Sequence, residues 1–336
     1  MKLYKLIQNE MFKMINKKRL FIVLGLLFIM IAAFAYGQHN SIERTREQTA
    51  KRIGISASND WHKILEQRII EIKNRIDSPG MDDTRIARMR VQMEQFKYYL
   101  DNNINPIDVT NASFTTKFME QSLFLFLPLL IIILAADIVS GELGAGTIKL
   151  LLVQGVPRWR ILLSKYITLI TLQLVVLFFA FVFSSIISGF FFGFRGWTAP
   201  VSTGFKVIGG QLVTSDIVNV PQWQYTMMVY GAAYFVALAV GTVSFMVSVI
   251  VKSTAASIGI ILSALIGGSI LSNFVADWKL ARYLFSVNLR LTDYISGSLQ
   301  PIEGMDMTFS VAVLSVWIIG ALMISFIYFT KRDIMV

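Results

Sequence analysis

The stretch Ala136-Asp137-Ile138-Val139-Ser140-Gly141-Glu142-Leu143-Gly144-Ala145-Gly146-Thr147-Ile148-Lys149, continuing as Leu150-Leu151-Leu152-Val153-Gln154-Gly155-Val156-Pro157-Arg158, is an amphipathic, glycine-punctuated loop between two long apolar runs. The runs on either side, 117–137 and 161–190, each reach the roughly 20 residues an α-helix needs to cross a ~30 Å hydrocarbon core. Comparable runs lie at 20–37, 224–251, 254–275 and 308–330. The pattern predicts an all-α integral membrane protein with six transmembrane helices. Composition agrees: the 336 residues are 55% hydrophobic and 15% charged, too apolar for a soluble domain of this size.

Basic residues at the span ends set the expected orientation. Lys2, Lys5, Lys13, Lys17, Lys18, Arg19, Lys149, Arg158, Arg160, Lys165, Lys252, Lys331 and Arg332 fall on one side, against Glu10, Asp137, Glu142 and Asp333. Nearly the whole net charge of +10 therefore sits on the face predicted to be cytoplasmic, with both termini inside, where anionic headgroups attract it. This placement of charge argues against nucleic acid as a partner. The absence of cysteine excludes a disulfide framework and thiolate metal sites. Lys17-Lys18-Arg19, an apolar run and Ala33-Phe34-Ala35 resemble a signal peptide, but the first span is expected to be a retained anchor.

Residues 1–19 carry Leu3, Ile7, Met11, Met14 and Ile15 on one helical face and Lys2, Lys5, Asn9, Lys13 and Asn16 on the other, the pattern of an amphipathic interfacial helix. The polar segment 38–116 is expected outside as a helical hairpin. Leu65, Ile69, Ile72 and Ile76 form one stripe, and Ile86, Met89, Met93, Phe96 and Leu100 another, joined through Asp77-Ser78-Pro79-Gly80 with Asp82 or Asp83 as the next cap. The outer connections 191–223 and 276–307 are rich in aromatics that suit an interfacial belt, and Trp278 to Tyr294 suggests a short helix lying on or re-entering the outer leaflet. In the fifth span Gly259, Ser263 and Gly267 recur every four residues, as do Ala256, Ala264 and Gly268 with Ile260 between. Such stripes permit close helix packing, within the chain or against a second copy.

Catalytic chemistry is sparse. His39 and His62 lack HExxH spacing, and no GxSxG elbow occurs. Gly141-x4-Gly146-Thr147 nearly spells a phosphate loop, but Thr147 stands where the lysine is needed and a membrane helix precedes it in place of a strand. The spans lack the ionisable chains of ion-coupled carriers, with Gln173 and Asn273 read as interhelical hydrogen-bond partners. The expectation is a non-enzyme that binds no cofactor. Any uphill work draws on energy from elsewhere, and the loop at 138–160 is the natural inlet. Thr147 suits the cap of a short helix over Ile148 to Gln154, with Ile148, Leu151 and Leu152 seeking a groove. Gly155-Val156-Pro157 would stop it, and Arg158, Arg160 and Lys165 would hold it near the headgroups.

The order Asp137, Gly141-Glu142, Gly146-Thr147, Lys149, Leu150 to Leu152, Pro157-Arg158 and Lys165 resembles the coupling motif of ABC transporter permeases of the type-2 export class. The amphipathic N-terminus and six spans resemble that family too; the long first outer loop departs from it. The resemblance implies a bacterial plasma-membrane permease subunit paired with a second permease chain, the same or related. Two cytoplasmic ATP-binding subunits would hold the ATP and Mg. Asp137, Gly141, Glu142, Gly146, Thr147, Lys149, Leu151, Leu152, Pro157 and Arg158 would couple them, Glu142 as polar anchor and Leu151 and Leu152 as the inserted face. The expected cargo is amphipathic or lipid-like: a peptide, antibiotic or lipid. The alternative is a polytopic sensor or scaffold whose outer hairpin, 45–101, receives a signal or an extracellular partner and whose inner loop docks a partner that is not an ATPase.

Overall fold

The computed structural model describes residues 2–53, 60–78, 81, 83–148, 155–208, 211–213, 217–274, 279–298, 302 and 305–331. Its helices are α1 (Leu3–Asn16), α2 (Arg19–Ile53), α3 (Trp61–Ile76), α4 (Asp83–Asp101), α5 (Asn111–Ser122), α6 (Phe126–Gly144), α7 (Arg158–Phe192), α8 (Gln222–Ile250), α9 (Thr254–Phe274), α10 (Leu291–Ser296) and α11 (Met307–Lys331). Six of them, α2, α6, α7, α8, α9 and α11, contain segments long and apolar enough to cross a membrane, so the chain is a mostly helical, multi-pass membrane protein.

Burial ranks these six. In the most apolar window, 72% of α6 and 61% of α8 is buried inside the chain, against 28% of α2, 22% of α11 and 17% of α9. The α6–α8 seam is therefore the axis of the bundle, with α7 and α11 packed on α8 and α2 on α7. The outer three leave most of their apolar surface to lipid.

The single apolar run at 117–137 is two helices, with a break at Leu123–Leu125. Pro128 causes it. Proline has no N–H to donate to the carbonyl of Phe124, and its ring would collide with that carbonyl in a continuous helix. It is instead accommodated in the first turn of α6, where the donor is not needed. At its other end α5 begins in a capping box, with Thr110 and Ser113 each satisfying the other's backbone N–H.

Past α7 the structure departs from the helical expectation. β1 (Pro200–Thr203) pairs antiparallel with β4 (Val218–Pro221), and β2 (Lys206–Ile208) with β3 (Gln211–Val213), giving two short ribbons in the connection read as loop. Two 3-10 turns, Lys279–Tyr283 and Ser286–Leu289, precede α10 and take the place of the expected short helix. The α3–α4 hairpin folds onto these elements. Gln95 Nε2 donates to the carbonyl of Gly297 at 3.1 Å, Glu94 accepts from the Leu212 N–H at 3.0 Å, and Phe205 packs between Tyr98 and Tyr99. Within the hairpin Leu65 and Val91 are the buried apolar residues, so the α4 stripe is centred closer to Val91 than the spacing suggested.

α1 packs against the start of α7, and Arg158 Nη1 donates to the Thr330 carbonyl at 3.2 Å, tying the start of α7 to the last turn of α11. Both terminal helices thus meet at one end of the bundle, called here the basic end. The hairpin and ribbons form the other.

Candidate functional site

The last turns of α6 carry two acids, Asp137 and Glu142, both buried at the basic end. Five residues apart, they point about 140° away from each other around the helix. Each finds its own set of cations.

Glu142 belongs to a closed ring of four charges. Lys13 Nζ lies 2.8 Å from Glu10 Oε1 and 2.9 Å from Glu142 Oε1, and Lys165 Nζ lies 2.7 Å from Glu10 Oε2 and 2.8 Å from Glu142 Oε2. The last contact is close in distance but lacks hydrogen-bond geometry, so it acts through charge alone. Lys165 also donates to the Ile138 carbonyl at 3.2 Å and has a side-chain exposure of 0%. Two acids and two bases cancel, which is the condition under which buried charge is tolerated. Burial pulls the Lys13 ammonium down, but the hydrogen bonds and charges of Glu10 and Glu142 outweigh it and hold the group above its ordinary value.

Asp137, fully buried, meets Arg19 Nη1 at 2.7 Å, Lys17 Nζ at 3.4 Å and the Thr254 hydroxyl, which donates at 3.2 Å. The elbow between α1 and α2 makes the first two contacts together. Lys18 adopts φ +56, a left-handed conformation costly for a side-chain residue, and the turn sets Lys17 and Arg19 on either side of the carboxylate. Gly141 is required for the same reason, because a Cβ there would overlap the Asp137 carboxylate. From α8, the Ser248 hydroxyl donates to the Ala136 carbonyl at 2.8 Å and accepts from the Ser140 N–H at 2.9 Å. One helix end is thus fastened to α1, the elbow, α7, α8 and α9. These acids are all engaged in ion pairs, and among the described residues no group of three or more His, Cys, Asp or Glu is placed to hold a metal.

The segment that follows is bounded by two left-handed glycines, Gly146 at φ +71 and Gly155 at φ +67. Thr147 is exposed, while Ile148 is buried in the chain's own core, so that member of the predicted apolar face already has its groove. Lys149, Leu151 and Leu152 lie outside the described residues. Val156 packs with Leu6 and Ile161, and Pro157 is the N-cap of α7.

Two expectations are corrected. Lys165 does not reach the headgroups: it lies on the inward face of α7, where two carboxylates hold it. The inward stripe of α1 is Leu6, Glu10 and Met14, while Ile15 and Phe12 are exposed, because pairing Glu10 with Lys165 rotates the helix away from its purely apolar face. Reading the sequence alone missed Glu10, Ser248 and Thr254. Glu10 had a signal, as the one acid in a strongly basic stretch. Gly259, Ser263 and Gly267 sit on the exposed face of α9, and a Cβ at either glycine would meet open space, whereas α9 packs inward through Ser257, Ile261 and Leu265. Gln173 Nε2 donates to the Ala237 carbonyl at 3.1 Å, linking α7 to α8; the side chain of Asn273 lies outside the described residues.

Comparison with known proteins places the chain among its relatives. It is 29% identical over 335 residues, 98% of each chain, to the "Uncharacterized protein YhcI" of Bacillus subtilis (strain 168). It is 26% identical over 217 residues, 64% of this chain and 80% of the relative, to the "Uncharacterized membrane protein YdbK" of the same organism. Residues 85–335 match the family described as "Protein of unknown function (DUF2705)", and the chain belongs to that family.

Proposed function

We propose that this chain is the membrane-spanning permease subunit of an ATP-driven exporter, with ATP and Mg held by separate cytoplasmic ATPase subunits. The observation that carries the reading is the ion-paired end of α6. A segment that receives a push must be joined to the helices it moves, and residues 145–157 emerge directly from a helix end fastened to five others. Removing one partner of a buried ion pair costs about 3–5 kcal/mol, so these elements move together before they separate. The left-handed glycines Gly146 and Gly155 mark the two ends of that segment.

In this account the basic end is cytoplasmic. Exposed Lys5, Lys18, Arg160 and Lys252 lie there, as the positive-inside rule requires, and the α3–α4 hairpin is external. Closure of the ATPases acts on 145–157, with Leu151 and Leu152 as the inserted apolar face, and shifts the bundle between inward- and outward-facing states. ATP drives this only by binding the two states with different affinity. The exposed face of α9 that carries Gly259, Ser263 and Gly267 receives a second permease chain, and cargo passes between the two. The apolar character of these helices fits an amphipathic or lipid-like cargo in a bacterial cell membrane.

The test is co-purification followed by ATP hydrolysis. The chain is expected to retain an ATP-binding-cassette ATPase, and Glu142→Gln or Leu152→Asp is expected to lower ATPase activity while the complex still assembles. Retention of a kinase or protease in its place would support the sensor reading. Unchanged activity in both variants would remove the coupling assignment.

A further inference from the structure

At the hairpin end α5 lies along α8 in a seam of neutral hydrogen bonds with one acid in it. Thr116 and Thr226 share a hydroxyl contact of 2.7 Å, and Gln222 Nε2 donates to Thr116 Oγ1 at 2.8 Å. One turn along, the Tyr225 hydroxyl donates to Glu120 Oε1 at 2.8 Å. Glu120 is thus the one ionisable link in a row of hydroxyl and amide links. It lies just before the Leu123–Leu125 break, where Arg290 covers the Phe124 ring at 4.7 Å.

The charges around it do not close as they do at the basic end. Lys117 on α5 is near enough to act on Glu120, yet among the described residues no carboxylate lies within ion-pair distance of its ammonium. Asp293 on α10 adds like charge, itself offset by Arg290 and by Arg88 of α4; Arg68 of α3 acts on Lys117; and Tyr99 of α4 faces the carboxylate. Burial is the main influence on the Glu120 carboxyl, and although Tyr225 and Lys117 oppose it, the group is pushed up to about 7.

We propose that Glu120 is a proton-binding latch that seats the last turn of α5 on α8 when protonated and releases that turn toward water when ionised. The seated geometry binds the proton more tightly than an exposed carboxyl does, so by linkage acid favours the seated state. That preference is complete below about pH 4.5 and is lost as pH rises through about 7. At the other end of α5, Asn111 Nδ2 donates to the Ser188 hydroxyl of α7 at 3.1 Å and keeps that end in place, while the break at Leu123–Leu125 separates the last turn of α5 from α6. The latch stands on its own geometry and does not depend on the transport reading.

Because the chain has no cysteine, two introduced ones label uniquely. Gln121→Cys on α5 and Met227→Cys on α8 are both exposed positions, and spin labels there report the α5–α8 distance in the purified full chain. The distance distribution is expected to lengthen between about pH 5 and about pH 8, with a midpoint near that of Glu120. Glu120→Gln is expected to hold the acid distribution at both values. Tyr225→Phe, which removes the donor favouring the carboxylate, is expected to move the midpoint to higher pH, and it keeps the test open should Glu120→Gln fail to fold. A distribution unchanged with pH in the labelled chain, or one that still shifts in Glu120→Gln, would overturn the proposal.

Discussion

The two ends of the central bundle are fastened by different chemistry. At the basic end α6 is held by buried carboxylates facing ammonium and guanidinium groups, whereas at the hairpin end α5 is held to α8 by threonine, glutamine and tyrosine, with Glu120 as the lone acid. The energetic contrast is large. A neutral hydrogen bond contributes about 1 kcal/mol net, whereas orphaning one member of a buried charge network costs about 3–5 kcal/mol. The basic end is therefore built to hold its shape and the hairpin end to yield.

The comparison is broken most directly at Lys165. Lys165→Met leaves Glu10 and Glu142 sharing only Lys13, and is expected to destabilise the detergent-purified chain by about 3–5 kcal/mol in thermal or denaturant unfolding. Adding Glu142→Gln is expected to restore part of that loss, since it removes the one negative charge that Lys13 alone cannot balance. Strict additivity in this double-mutant cycle would mean that the ring does not act as a unit.

A smaller effect is expected at Gly141, where alanine would push its methyl into the Asp137 carboxylate and disturb the contacts to Arg19 and Thr254. The expected loss is about 1–3 kcal/mol by the same unfolding measurement. At the hairpin end Thr226→Val removes one hydroxyl partner while Gln222 still serves Thr116, so about 1 kcal/mol is expected. A loss as large as that of Lys165→Met would erase the contrast between the ends.

The smallest effects belong to α9. Gly259→Ala and Gly267→Ala add a methyl to open space and are expected to change the stability of the isolated chain by no more than about 0.5 kcal/mol. If instead they shift its oligomeric state in size-exclusion chromatography with light scattering, a second chain covers that face.

What was legible in the sequence follows from range. The apolar runs are local signals, and a helix long enough to cross lipid needs no distant partner to be recognised. Pro128 held the signal for the α5–α6 break, since its lost donor and its clash act only four residues away, but hydropathy alone reads 117–137 as one span. The ribbons were not legible, since strands of three or four residues are too short for alternation to register. The ring at the basic end was half legible. Glu142 stood out within a glycine-rich polar stretch, but Glu10 and Lys165 are 155 positions apart, and nothing local announces such a pair. The same long-range pairing reset the face of α1. The small residues of α9 were visible as stripes, but a stripe does not say which element it meets: Gly268 faces Ser286, whereas among the described residues nothing lies against Gly259 or Gly267.

The proposed role of the ion-fastened end of α6 is to pass work from a nucleotide-driven partner into the membrane helices. It is tested most directly by ATP turnover in the purified complex of this chain with its ATP-binding subunit, comparing wild type with Glu142→Gln at equal assembly. Turnover is expected to fall several-fold in the variant while both subunits stay bound. Turnover equal to wild type in a fully assembled Glu142→Gln complex would contradict it.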